Sequence, residues 1–326
     1  MAISVTQHAH RMSTRALGWL HTHRERGALP PGSTAELAEP DSVYKPLGET
    51  GLAASLVLRE AVAGGRELRL ARELLDFGWQ QLGRGSMLHE RLLRYPMMSD
   101  PLETYAHYAR CGYRHESLDR LLRHTTSLRS TRAAEVLPNR RLAVANAARI
   151  SGFEQDGGAS EDRAGGSDRT SGSDRAGGPD WAGLTAATWL GALPEPWLID
   201  WMTAYNVTHT VFHITDWGRL PGRLPADISR YLTRWLPAWI DIWAEIGEWD
   251  LVTELMIVDN CLPEPLGDPS VWELLAGIQH EDGLMPRDGH PVTGDDQERF
   301  DAHHHSTVVA AVAGTLAVSR TLGARS

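Results

Sequence analysis

The sequence predicts an all-α fold in which antiparallel helical hairpins are arranged round a ring or along a solenoid. Apolar residues recur at spacings near three or four, as one face of a helix requires, in segments such as Leu68 to Trp79. Alternating β-branched runs bounded by tight turns, which would indicate strands, are nearly absent. Clusters of Pro and Gly separate about a dozen helical segments, a number that suits paired helices stacked on one another.

The predicted helices lie on both sides of one polar stretch. Before it, apolar spacing predicts helices around Leu17 and Leu20, from Leu52 to Ala61 and from Leu68 to Trp79. After it, the predicted helical segments are Leu184–Leu193, Leu198–Trp217, Ile228–Ile246, Leu251–Cys261, Trp272–Gln279 and Ser306–Leu322. Connections such as Leu262-Pro263-Glu264-Pro265 end a helix and allow the chain to turn.

The polar stretch covers residues 154–180 and nearly repeats a Gly-Ser-Asp-Arg unit. It contains too few apolar residues to offset the entropy of ordering it, so we expect a disordered insertion. Neither flank alone holds enough helix pairs to close a ring. We therefore predict one domain over residues 1–326, with the insertion inside it.

Composition excludes several classes of function. The chain has 326 residues and a net charge of -10, which argues against nucleic acid as a partner. Lys45 is the only lysine and no glycine-rich loop precedes it, which disfavours phosphate-loop and pyridoxal chemistry. There is no apolar run of about 18 residues, so no membrane span is predicted. The N-terminal segment has no apolar signal core, which predicts a cytoplasmic protein.

Residues 205–218, YNVTHTVFHITDWG, contain the strongest candidate site. His209, His213 and Asp216 fall on one stripe of a helix, and two histidines four apart can hold one metal ion. Asp216 could orient a ligand histidine or act as the base, and His209 could move a proton. A buried hydrogen-bonded stripe that only fixes helix packing explains the same pattern.

A second candidate is Asp259-Asn260-Cys261 at the end of an apolar helix. A thiolate and a carboxylate two residues apart can share one zinc ion. A small buried cysteine beside a capping aspartate is the alternative explanation. The only other cysteine is Cys111, and two cysteines are too few for a disulfide scaffold.

The segment WELLAGIQHEDGLMP places Gln279 at a helix end, followed by Asp282-Gly283. It resembles the Gln-x-x-Asp-Gly repeat of the α/α-toroid enzymes, the squalene-cyclase and protein-prenyltransferase superfamily. In the prenyltransferase catalytic subunit an Asp-x-Cys pair and a later histidine bind zinc. The order Asp259-x-Cys261, then His304-His305-Ser306, resembles that arrangement over about residues 259–315. The resemblance implies an α/α toroid and places His305 as the ligand histidine.

Together these segments predict a zinc-dependent enzyme. We expect the metal ligands to be His213, Asp259, Cys261 and His305, with Asp216 and His209 as the catalytic acid/base residues. The substrate is predicted to be a small or peptide-like organic molecule in a Trp-lined cavity, and the reaction a cyclisation, addition or group transfer. Two other functions fit the same residues: a non-catalytic helical module that binds a ligand or partner, and a metal-free carbohydrate-active or lyase-type toroid.

Overall fold

The computed structural model describes residues 5–35, 44–62, 64–153 and 178–323, and within them the chain is helical with no strand. The predicted all-α class is therefore confirmed. Residues 154–177 of the predicted insertion lie outside the described residues. The α-helices are α1 (Val5–Thr22), α2 (Lys45–Glu60), α3 (Gly65–Gln81), α4 (Ser86–Arg94), α5 (Asp100–Arg110), α6 (Glu116–Ser127), α7 (Arg129–Ala134), α8 (Pro138–Ser151), α9 (Trp181–Ala186), α10 (Trp201–Thr215), α11 (Ala226–Ile246), α12 (Trp249–Cys261), α13 (Pro269–Ile278) and α14 (Asp296–Gly323).

Local chemistry sets several of the helix ends. The α10 helix begins with a capping box, in which the Asp200 carboxylate accepts from the Thr203 amide and the Thr203 hydroxyl accepts from the Asp200 amide. The α8 helix begins with Pro138, whose missing amide hydrogen costs nothing in the first turn. The α11 helix ends at Gly247 with φ 84°, a left-handed conformation that glycine adopts without strain.

Six helices pack against one another in a closed order. In that order, α2 packs on α5, α5 on α8, α8 on α10, α10 on α12 and α12 on α14, and α14 packs on α2. Along the chain, the remaining helices come before the first of these six or between them. Of these remaining helices, α1 packs on α14, α3 on α2 and α11 on α12.

The six helices run in the same direction, because their starts contact starts and their ends contact ends. At the N-terminal end, the side-chain contacts are Glu103 with Arg140, Tyr205 with Asp250, and Glu49 with His305, which lies in the third turn of the longer helix α14. At the C-terminal end, Arg110 pairs with Asp216, Ser319 donates to Glu60, and Arg320 donates to the Leu262 carbonyl. The N-terminal starts of the six helices therefore lie on one side of the protein.

The long helix α14 is part of the core. It is the one described helix that is long and apolar enough to cross a membrane. However, 72% of its apolar 18-residue stretch is buried inside the protein, as in the core helix of a folded domain. Gly314 allows it to approach α1 closely, since a Cβ there would lie 2.3 Å from the Ala9 carbonyl oxygen.

The Gln-x-x-Asp-Gly segment also binds α1. The Gln279 amide donates to the Met12 carbonyl at 3.1 Å and to the Gly283 carbonyl at 2.9 Å. Asp282 accepts from the Leu284 amide, which closes the turn. Gly283 has φ 105°, and a Cβ there would lie 2.2 Å from the Arg15 carbonyl oxygen. Glycine is thus required at this turn by both conformation and space.

Candidate metal centre

Asp250, Glu254 and His305 converge at the N-terminal end of the six helices. Each offers a ligand atom, and these atoms all lie within 4.8 Å of one another. Asp250 and Glu254 are one turn apart in α12, so both carboxylates project from the same face. The His305 Nε2 atom lies 3.4 Å from Glu254 Oε1 and 3.8 Å from Asp250 Oδ2.

Glu49 fixes the orientation of the His305 imidazole. Its Oε1 atom lies 2.7 Å from His305 Nδ1 and accepts a hydrogen bond from it. The Oε2 atom lies 3.3 Å from His304 Nδ1. When Nδ1 of His305 carries the donated hydrogen, the Nε2 lone pair of the neutral ring faces Asp250 and Glu254. A carboxylate that holds a histidine in this way is common behind metal ligands.

The two carboxylates are held by neutral donors on α10. The Tyr205 hydroxyl donates to Asp250 Oδ2 at 2.5 Å, and the Thr208 hydroxyl donates to Glu254 Oε2 at 2.5 Å. Among the described residues, the buried Asp250 Oδ1 atom has no hydrogen-bond partner. A buried acceptor without a partner is costly, so this oxygen is available for a ligand.

Solvent reaches the imidazoles but hardly reaches the carboxylates. The side chains of His305 and His209 are 39% and 40% exposed, whereas those of Asp250 and Glu254 are 5% and 2% exposed. His209 Nε2 lies 3.7 Å from Glu254 Oε1, and its ring packs edge-on to Tyr205. The carboxylates therefore form the floor of the site and the histidines its accessible wall.

The charges of these groups depend on one another. Burial raises the pKa of Asp250 to about 6, an effect opposed by the nearby charge of His305. Burial would also raise the pKa of Glu254, but the nearby imidazoles of His209 and His305 lower it to about 2. Burial opposes protonation of His305, yet Glu49 and Asp250 raise its pKa well above the usual value. Without a metal ion, His305 therefore keeps a proton at neutral pH, and a cation bound by these groups would displace that proton.

His213, a predicted ligand, lies one turn further along α10 and does not join this group. Its ring centroid is 6.1 Å from that of His209, and its Nδ1 atom is buried without a hydrogen-bond partner among the described residues. Burial, together with nearby positive charges, lowers the pKa of His213 well below its usual value, so the ring is neutral at pH 7. Its backbone carbonyl accepts from Arg149.

Asp259 and Cys261 lie at the opposite end of α12 from Asp250. Nine residues of helix correspond to about 14 Å, too far for one ion to bind both carboxylates. Asp259 instead accepts from the amides of Leu266 and Gly267, at 2.7 and 3.1 Å, and fixes the loop after the helix. Cys261 is fully buried, and burial raises the pKa of its thiol to about 12. The capping aspartate and the buried thiol match the alternative explanation of this motif, so the four predicted ligands do not form one set.

Asp216 is also at the C-terminal end of the six helices. It ends α10 in the left-handed conformation, with φ 49°, and therefore leaves the stripe that His209 and His213 share. Its carboxylate pairs with Arg110 and lies 3.8 Å from Arg59. The two arginines line a cavity of about 1380 Å³ at this end of the protein. This position separates Asp216 from the acidic group, so it does not orient or assist the predicted histidine ligands.

The candidate residues predicted from the sequence do not include Glu49, Asp250 and Glu254. A local signal for two of them exists, because Asp250 and Glu254 are acids four apart in the largely apolar helix WDLVTELMIVDNC. Buried carboxylates in such a helix need a partner or a cation. Glu49 likewise stands in a largely apolar helix, but its partner His305 is 256 residues away in sequence.

Comparison with known proteins identifies a family. The sequence pattern of a family described as a domain of unknown function matches residues 13–165 and 167–315 of this chain. No curated protein and no solved structure matches the chain. The matched ranges contain every residue of the acidic and histidine group described above.

Proposed function

The chain belongs to DUF6895, a family of domains of unknown function, and we propose that it is a metal-dependent enzyme in which Asp250, Glu254 and His305 hold one divalent ion. The observation that carries this proposal is the position of His305 Nε2, which faces two buried carboxylates at 3.4 and 3.8 Å. The carboxylate of Glu49 holds the opposite nitrogen at 2.7 Å. Three protein ligands leave positions for a water and a substrate, as catalytic metal sites require.

The separations between the ligand atoms support a shared cation. Around a tetrahedral ion with bonds of 2.0–2.1 Å, neighbouring ligand atoms lie about 3.3–3.4 Å apart. The distances of 3.4 and 3.8 Å from His305 Nε2 need only a small inward movement to match this value. The 3.8 Å separation from Asp250 is too long for a hydrogen bond. The unpartnered Asp250 Oδ1 is a further oxygen within the same side chain.

Zinc is the ion we expect, with a different ligand set from the one predicted on the sequence. Nitrogen and carboxylate oxygen ligands suit zinc in catalytic sites, and they also suit manganese and iron, whereas no thiolate is needed. A bound ion would polarise a carbonyl or lower the pKa of a water molecule. His209, exposed beside Glu254, is placed to move a proton in that reaction on a small or peptide-like substrate.

The fold that fits this site is an α/α toroid. We propose that α2, α5, α8, α10, α12 and α14 form its inner ring, with the alternating helices outside. Two observations support the proposal: the packing of α14 on α2 closes the series, and the six helices run in one direction. Such a ring would bring side chains from α2, α10, α12 and α14 to one end of its interior, where the metal ligands lie.

Metal analysis of purified variants tests this function. We expect about one equivalent of zinc, manganese or iron per chain in the wild type, lost in Glu254→Gln, which keeps the shape of the side chain but not its charge. Asp259→Asn is a matched control, because it changes a buried carboxylate at the other end of the same helix. Metal binding that survives Glu254→Gln but is abolished in Asp259→Asn would overturn this ligand set. A wild type that binds no ion would favour the metal-free alternatives.

A further inference from the structure

Exposed apolar side chains lie at the end of the protein where Asp250, Glu254 and His305 lie. They belong to the start of α10 and the turn before it, and to the last turns of the helix that leads into α12, and they form what we call the apolar rim: Trp197, Leu198, Trp201, Met202, Ile242 and Ile246. Because these helices start on one side of the protein, the rim lies on the same side as the acidic group.

The densest part of the apolar rim is next to the start of α10. Trp197 is 74% exposed, and Trp201 and Met202, one turn further, are 51% and 59% exposed. Single exposed apolar residues are ordinary on protein surfaces, but several large ones within six residues of chain indicate a binding surface. Aromatic side chains of this size each bury about 150–250 Å² when covered.

One aromatic face connects this part of the rim to the proposed metal site. Trp201, Tyr205 and His209 are spaced by four residues and so share a face of α10. The rings of Trp201 and Tyr205 meet edge-on with centroids 4.6 Å apart, and those of Tyr205 and His209 are 6.2 Å apart. Tyr205 itself donates to Asp250. A molecule bound at the ligand residues through a polar end therefore has exposed tryptophan within reach of its other end.

We propose that the substrate is an amphiphile, with an oxygen-bearing polar group at Asp250, Glu254 and His305 and an alkyl or acyl chain along Trp201, Met202 and Trp197. The inference rests on the proposed metal site and names its substrate class. The buried carboxylates would contact the polar end of such a molecule, and the exposed apolar side chains of the rim would contact its alkyl or acyl chain. Each methylene covered by the rim strengthens binding by about fourfold.

Alkyl hydroxamates of different lengths test the proposal, since the hydroxamate group binds metal ions and the chain probes the rim. Binding of acetohydroxamate and octanohydroxamate to zinc-loaded protein is measured by calorimetry. If three methylenes are covered, octanohydroxamate should bind about 60-fold more tightly than acetohydroxamate. The Trp201→Ala/Met202→Ala variant should lose most of this ratio. Leu274→Ala, another exposed apolar residue, is the control and should keep the ratio.

The other outcomes separate the two proposals. Equal binding of both hydroxamates, or a ratio unchanged in the Trp201→Ala/Met202→Ala variant, would overturn the amphiphile and leave the metal site standing. If neither hydroxamate binds, the metal site and the inference are both overturned. Binding of the protein to phosphatidylcholine vesicles, abolished in the same variant while the hydroxamate ratio is unchanged, would assign the rim to a lipid surface instead.

Discussion

The hydroxyl of Tyr205 offers a sensitive test of the acidic group, because it can be removed without changing the shape of the side chain. Burial and the neighbouring carboxylates of Asp250 and Glu254 raise the pKa of Tyr205, so the phenol stays protonated and donates to Asp250 Oδ2. Tyr205→Phe leaves that buried oxygen without its donor. Asp250 then takes up a proton more readily and is held less firmly, and both effects oppose metal binding.

The size of the effect follows from the kind of bond. A hydrogen bond to a charged group contributes about 1.5–3 kcal/mol to stability, so metal-free Tyr205→Phe should lose about that free energy of unfolding. Loss of a residue that supports a ligand lowers metal affinity by about 10–100-fold, which corresponds to about 1.4–2.8 kcal/mol. In an Asp250→Asn background the effect of Tyr205→Phe on the free energy of unfolding of the metal-free protein should fall below about 0.5 kcal/mol, because the two residues act through the same contact.

Competition with a zinc chelator of known affinity measures the loss, and urea unfolding of the metal-free protein measures the stability. Tyr113→Phe is the matched control, since Tyr113 also donates to a carboxylate, Asp76, at 2.7 Å but lies away from the site. Unchanged zinc affinity in Tyr205→Phe, or an equal loss in Tyr113→Phe, would show that Tyr205 does not support a metal ligand. An undiminished effect in the Asp250→Asn background would show that Tyr205 acts through another residue.

Three further predictions concern residues outside the acidic group. Asp259→Ala should destabilise the protein by about 1–3 kcal/mol in urea unfolding, since two loop amides lose their acceptor, and should leave zinc affinity unchanged; a loss of zinc would contradict this. In a Cys111→Ser variant, the Cys261 thiol, whose pKa burial raises to about 12, should react with a disulfide reagent at pH 8 only after unfolding. Burial, with Arg110 nearby, lowers the pKa of His107 to about 3, so protonation favours the unfolded chain. Its contribution to stability is complete above about pH 6.5 and falls by at most about 1.4 kcal/mol per pH unit towards pH 3. His107→Gln should flatten the acid limb of a stability profile, and an unchanged limb would argue against a neutral buried ring.

The helices could be predicted from the sequence because their signals are local. The spacing of apolar residues identified α10 and α12, and the pair His209 and His213 directed attention to α10, where His209 does border the acidic group. The residue at which the helix ends after His213 was not predictable in this way. Asp216 adopts a left-handed conformation that ends the helix, so a stripe extrapolated at constant period placed it wrongly.

The residues that form the site are brought together by contacts between distant parts of the chain. Glu49 meets His305 across 256 residues, and no local pattern relates them. The Asp-x-Cys pattern predicted a zinc thiolate at Cys261, but the Asp259 carboxylate accepts from the loop after the helix and the Cys261 thiol is buried in the core. His305 was identified by resemblance and does lie in the group, but with oxygen neighbours in place of sulfur.

X-ray absorption at the edge of the bound metal identifies the atoms around the ion and so tests the proposed ligand set. A shell of nitrogen and oxygen at about 2.0–2.2 Å is expected, with the scattering of one imidazole and no sulfur, and this signal should be lost in Glu254→Gln. A sulfur shell at about 2.3 Å would restore Cys261 as a ligand and contradict the set of Asp250, Glu254 and His305. Protein that retains no metal after zinc loading would contradict the metal site altogether.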